Sequence, residues 1–214
     1  MTARLTLRLG LLAIVAFVLG LVAARWLLAP HLAPAPVTEN ATVFVPPRAI
    51  ATLDLLDQDG RPFTAQSLRD GWTVVFFGFT HCPDVCPTTL TVMAQMKKQL
   101  ADLPVAQQPH VMLFSVDPER DTPQRLREYV RFFDASFGAA TGTLDGVQQA
   151  AAAFAVPFAK VPLPQGGYTM DHGAGVFFVA PDGAVHAYSS PPLRAESLAR
   201  DFRQVAQYYE ETRG

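Results

Sequence analysis

Residues 72–87 read WTVVFFGFTHCPDVCP. Trp72 to Phe77 is a near-continuous apolar run, the pattern of a strand covered on both faces, and Cys82 and Cys86 follow it with three residues between them. Pro87 suits the opening turn of a helix, where the N–H it lacks would have no intrahelical partner. Leu90, Met93, Lys97 and Leu100 then recur at helical spacing, the lysine being the one polar interruption, and Val111 to Val116 is a second apolar run. Strand, helix and strand in this order require parallel pairing. The two cysteines fall at the C-terminal edge of the first strand, where ligands bind in open α/β sheets.

The pattern continues on both sides. Leu126, Tyr129, Val130 and Phe133 mark a second helix, opening after Asp121-Thr122-Pro123, where threonine can cap and proline fits the first turn. A shorter helix is expected over Leu144 to Phe154. Gly175 to Val179 and Ala184 to Tyr188 are strand-like runs joined by the turn signal Pro181-Asp182-Gly183, and Leu198, Phe202, Val205 and Tyr209 place a final helix. Asp57-Gln58-Asp59-Gly60 reads as the turn of an N-terminal hairpin. The expected fold is a thioredoxin-like α/β domain with a central mixed sheet and helices on both faces, over residues 48–214.

An appendage precedes it. Leu9 to Ala24 carries no charge, and Trp26 to Ala29 extends the apolar run past Arg25, which can snorkel to an interface. About 20 such residues cross a bilayer, so residues 1–29 are read as a transmembrane anchor. Arg4 and Arg8 favour the inner side, so the rest of the chain is exported. A cleaved signal peptide ending at Ala33-Pro34-Ala35 is the competing reading, weakened by the proline and the long apolar core. Prolines 30, 34, 36, 46 and 47 make residues 30–47 an extended spacer. With 17 Lys and Arg against 19 Asp and Glu, no broad basic face for nucleic acid is expected.

The chain has only these two cysteines, and a loop so short yields little as a structural disulfide. Chemistry is the better reading: disulfide exchange, or two thiolates on a soft metal ion. Two thiolates suffice for Cu(I), whereas Cu(II) also wants an imidazole. Of the five histidines, His31 lies in the spacer, and His110 and His186 read as surface residues. His81 adjoins Cys82 and tends to point away from it. His172 lies just before the run Gly175 to Val179, on the loop that faces the dithiol in a thioredoxin-like topology, so it can complete a two-sulfur, one-nitrogen copper site. Asp171 is either its partner or an exposed turn residue. A thiol-disulfide reductase would use the same cysteines. A peroxidase lacks its usual motif, and structural zinc wants four ligands.

Phe77 to Pro87 (FGFTHCPDVCP), Ser115 to Pro123 (SVDPERDTP) and Tyr168 to His172 (YTMDH), in this order, resemble the Sco/SenC family over nearly all of the exported domain. That resemblance implies a membrane-tethered, thioredoxin-fold copper metallochaperone that helps assemble the CuA centre of cytochrome c oxidase. Cys82, Cys86 and His172 match the copper ligands, and the CuA-bearing oxidase subunit is the implied partner. The expected location is a single pass of a bacterial inner membrane, with the domain in the periplasm. The chain departs from the family at Gly173, where members often carry serine. Asp117 and Asp121 lie in the second motif and are read as turn and helix-capping residues without a metal role.

Overall fold

The computed structural model describes residues 13–24 and 34–213. The chain divides into two compact units, Met1–Pro34 and Ala35–Gly214. In the first, residues 13–24 form helix α1. Among the described residues, no helix is long and apolar enough to cross a membrane. The 12 residues of α1 rise about 18 Å, against a hydrocarbon core of about 30 Å. The transmembrane helix expected within residues 1–29 is therefore not present in the described part of the chain, and the remainder of that stretch lies outside the described residues.

The second unit runs β1 (Ala41–Ala49), β2 (Leu55–Asp57), β3 (Pro62–Phe63), β4 (Thr73–Gly78), α2 (Val85–Gln99), β5 (His110–Ser115), α3 (Pro123–Phe133), β6 (Gly138–Thr141), α4 (Leu144–Ala153), β7 (Phe158–Pro162), β8 (Tyr168–His172), β9 (Val176–Val179), β10 (Ala184–Ser189) and α5 (Ala195–Thr212). Eight strands form one sheet in the order β1-β10-β9-β4-β5-β6-β2-β3, and β7 pairs with β8 apart from it. β4, β5 and β6 are parallel, while β9 runs antiparallel to β4 and β2 antiparallel to β6. This is the thioredoxin-like mixed sheet that the strand-helix-strand pattern implies.

All six residues of β4 are buried, as its unbroken apolar run requires. Neighbouring residues of a strand face opposite sides, which shows on β9. The Phe177 ring meets Phe154 at the end of α4, with centroids 5.2 Å apart, and the Phe178 ring meets Phe202 of α5 at 5.7 Å. Helices thus cover both faces. The predicted cap of α3 holds: Thr122 Oγ1 accepts the Arg125 N–H at 3.3 Å with Pro123 in the first turn. α4 opens the same way, Thr143 Oγ1 accepting from Gly146 at 3.1 Å.

Four strands differ from the sequence reading. β1 begins inside the stretch read as spacer, because its backbone pairs with β10 and Asp201 of α5 accepts the N–H groups of residues 39, 40 and 41. Pro46 and Pro47 sit where the β1–β10 register shifts, between Val43 and Arg48, on an edge strand that tolerates a missing donor. β6 is Gly-Ala-Ala-Thr, too small to read as a strand. The β7–β8 hairpin has Met170 as its one buried residue, so it shows no apolar alternation.

Candidate metal centre

The dithiol is built by the start of α2. Asp84 is the N-cap residue but makes no side-chain capping bond; instead the Cys86 N–H, in the first turn, points at Cys82 Sγ, 3.4 Å away. The sulfur of Cys82 takes the place of a capping oxygen, which helix geometry favours when the sulfur is anionic. Cys86 is fully buried and Cys82 half-buried. The Cys82 thiol is held down to about 5, chiefly by the hydrogen bond from the Cys86 thiol and further by the backbone N–H groups of Cys86 and Asp84, against the opposing cost of burial. Cys86 is pushed up by that same hydrogen bond and by burial. The two shifts run in opposite directions, favouring the thiolate on the more accessible sulfur and the protonated thiol on the buried one.

The space for Cys86 comes from Gly78, the last residue of β4. A Cβ there would stand 2.9 Å from Cys86 Sγ and 2.8 Å from the Phe76 ring. His172 closes the site from β8, with Nε2 3.7 Å from Cys86 Sγ. Its Nδ1 lies 3.0 Å from the Gly173 carbonyl oxygen. A carbonyl only accepts, so Nδ1 carries the proton and Nε2 presents its lone pair to the sulfurs. The ring packs edge-on against Phe76 and Phe79, with centroids 6.0 and 5.8 Å away. One ligand atom from each of Cys82, Cys86 and His172 lies within 4.8 Å of the other two. Donors about 2 Å from one ion at trigonal angles stand roughly 3.5–4 Å apart, so the three fit a small soft cation with little rearrangement.

The other candidates fall elsewhere. His81 Nδ1 lies 3.3 Å from Thr80 Oγ1 and groups with Asp117 and Asp121 rather than with the sulfurs. Asp171 is exposed on β8, and the Gly173 carbonyl occupies the position considered for it as partner of His172. His110 is exposed as expected. His186 is not a surface residue: it is 5% exposed, paired with Asp182 at 3.0 Å and packed edge-on against Tyr209. His31 lies outside the described residues.

Asp117 and Asp121 are buried and are not helix caps; Thr122 does that work. Asp121 accepts from the Thr80 N–H at 3.0 Å, the Thr80 hydroxyl at 2.6 Å and Ser115 at 2.7 Å. Asp117 accepts from Arg120 and Tyr168. With these donors in place the carboxylates are satisfied without an ion. The sequence reading missed Gly78, Phe76, Phe79, Arg120 and Tyr168 as parts of the site. Four of them lie inside the very motifs quoted above, and Phe76 immediately precedes the first.

A helix-start dithiol facing an imidazole across the edge of a thioredoxin-like sheet defines a class: α/β proteins built to hold a soft metal ion or to exchange disulfides. Within it, the chain belongs to the SCO1/SenC family, whose model matches residues 46–207. A Stutzerimonas stutzeri protein named for copper binding is 36% identical over 169 residues, covering 78% of this chain and 82% of that one. The solved structure of Arabidopsis thaliana ScoI with copper bound superposes with a TM-score of 0.70 at 29% identity, covering 75% of this chain and 100% of that one. Bradyrhizobium japonicum ScoI with copper bound gives 0.65 at 32% identity, covering 73% and 99%. The chain spans 57% of the length of the bovine mitochondrial SCO2 homolog, at 32% identity over 151 residues.

Proposed function

We propose that this chain carries copper as cargo on Cys82, Cys86 and His172 and delivers it to the CuA-bearing subunit of cytochrome c oxidase, from a membrane anchor formed by its N-terminal apolar segment. The observation that carries the ligand assignment is the lone pair of His172 Nε2 aimed at a sulfur 3.7 Å away, with the second sulfur in the same group of ligand atoms. Two thiolates suit Cu(I), and the imidazole adds the donor that Cu(II) prefers. Family membership and the copper-bound relatives support copper over other soft ions. The charge-free stretch Leu9 to Ala24 after Arg4 and Arg8 supports the anchor.

The test is copper titration of the full-length chain in detergent. One equivalent should bind, and the Cu(II) form should show sulfur-to-copper charge-transfer absorption. Cys82→Ser or Cys86→Ser should each weaken binding by about 100-fold or more, since one thiolate and one imidazole leave a soft ion undercoordinated. Single cysteine variants with undiminished affinity and unchanged spectra would place the copper elsewhere.

The asymmetry of the two thiols favours a second reading, thiol-disulfide reduction. The Cys82 thiolate would attack a target disulfide and release one target thiolate, forming a mixed disulfide. Cys86, passing its proton to that leaving thiolate, would then displace the second target sulfur and close Cys82–Cys86. The dithiol loses two electrons and the target gains two. His172→Ala separates the readings, because exchange needs no imidazole: it should abolish oxidase assembly if copper ligation is the working function, and leave dithiol cycling intact.

A further inference from the structure

His172 does not belong to the main sheet. It ends β8, half of a hairpin whose strands, among the described residues, pair only with each other, and within which only Met170 is buried. A cavity of about 310 Å³ is lined by Asp117, Glu119, Leu144, Phe158, Lys160 and Met170, from the hairpin, α4 and the β5–α3 loop. The imidazole is held by its ring packing against Phe76 and Phe79, and the strand that carries it is tied to the rest of the domain by polar contacts at the rim.

Those contacts converge on one segment, Ser115 to Asp121. Arg120 donates through Nη1 to the Tyr168 carbonyl at 3.1 Å, and its guanidinium carbon lies 3.7 Å from the centroid of the Tyr168 ring. The same guanidinium carbon lies 5.9 Å from the centroid of the Phe79 ring, which itself packs against His172. Among the described residues the buried Nη2 of Arg120 has no hydrogen-bond partner, and ring faces of this kind attract such a cation. Lys160 Nζ also lies over the Tyr168 ring, at 3.9 Å, and pairs with Glu119. The Tyr168 hydroxyl donates to Asp117 at 2.9 Å. At its other end the segment holds Thr80, two residues before Cys82, through Asp121.

We propose that Arg120 and Tyr168 form a latch that fastens the β7–β8 hairpin to the β5–α3 loop and so positions His172 over the dithiol. Neither residue touches the sulfurs or the imidazole; both are positioning residues. The same short segment registers the cysteine loop through Asp121 and the histidine hairpin through Arg120, so the two halves of the centre are aligned against one reference. Releasing the latch swings the imidazole away and leaves a two-sulfur site. The latch itself does not depend on copper, and it bears on the proposed function only through what His172 does once placed.

The test starts with the metal-free full-length chain in detergent. Acylation of His172 by diethyl pyrocarbonate, read by mass spectrometry, reports whether the ring stays packed between Phe76 and Phe79. Tyr168→Ala and Arg120→Met should each speed it at least about fivefold, the loss of a stacked cation and its hydrogen bonds, while Cys82 alkylation stays within about twofold. Tyr168→Phe, which keeps the ring that both cations approach, should restore labelling to within about twofold of the unaltered chain. Tyr168→Leu carries the same measurement if the alanine variant does not fold. Unchanged His172 labelling in folded variants overturns the latch, whatever copper does. If labelling rises and Cu(II) charge-transfer absorption weakens to the level of His172→Ala, both proposals stand. If labelling rises with Cu(II) binding undiminished, the latch stands and His172 is not the copper ligand.

Discussion

Gly78 shows how much of the centre rests on an absent atom. It ends β4, and the Cys86 sulfur, the Phe76 ring and Leu113 all lie within 3.1 Å of where its Cβ would be. Gly78→Ala should therefore cost about 1–3 kcal/mol of stability, the usual range for overpacking a core, and should weaken copper binding by displacing Cys86. Denaturant unfolding with parallel copper titration checks both, and an alanine variant matching the parent in both would mean that the sulfur has room to move. Neighbouring residues varied in how readable they were. Cys82 and Cys86 announce themselves by type and spacing, and His172 by its place before a strand. Gly78 reads only as a break in an apolar run, because the clash that forbids a side chain involves Leu113 on another strand.

Among the elements, α5 does more than cover a sheet face. Asp201 is fully buried and accepts the N–H groups of Glu39, Asn40 and Ala41 at 2.7–2.9 Å, while Ser197 and Arg200 hold the Glu39 carboxylate. The helix thereby fixes the first residues of β1 for edge pairing with β10. Asp201→Ala strands three backbone donors and should cost about 3–5 kcal/mol, since removing one side of a buried charged network leaves the rest unsatisfied. Denaturant unfolding and amide hydrogen exchange at residues 39–41 measure it; protection unchanged at those amides would show that β10 pairing alone holds β1. This clamp joins residues about 160 positions apart, beyond the reach of any local pattern, which explains why the stretch reads as a proline spacer. The β7–β8 hairpin escaped for the opposite reason: with one buried residue it carries no periodicity to detect.

At the scale of the whole molecule, the proposed anchor makes a topological claim. Arg4 and Arg8 precede the apolar run, so a reporter active only outside the cytoplasm, fused after Gly214, should be active. Activity of a cytoplasm-only reporter there, or recovery of the full-length chain in the soluble fraction, would refute it. The thioredoxin-like order of β4, α2 and β5, the cap at Thr122 and the turn at Gly183 were determined by the sequence itself, because unbroken apolar runs, helical spacing and turn chemistry act over a few residues. The proposed donor set, two thiols and an imidazole, was also legible there, since ligand softness is a property of side-chain type. Tertiary structure alone decided that Cys86 lies buried beside Cys82 and favours its thiolate, that the Gly173 carbonyl turns Nε2 of His172 toward the sulfurs, and that Asp121 bonds Thr80 while Arg120 bonds Tyr168. Each of these depends on a distance between groups far apart in the chain, or on a burial that sequence spacing does not specify.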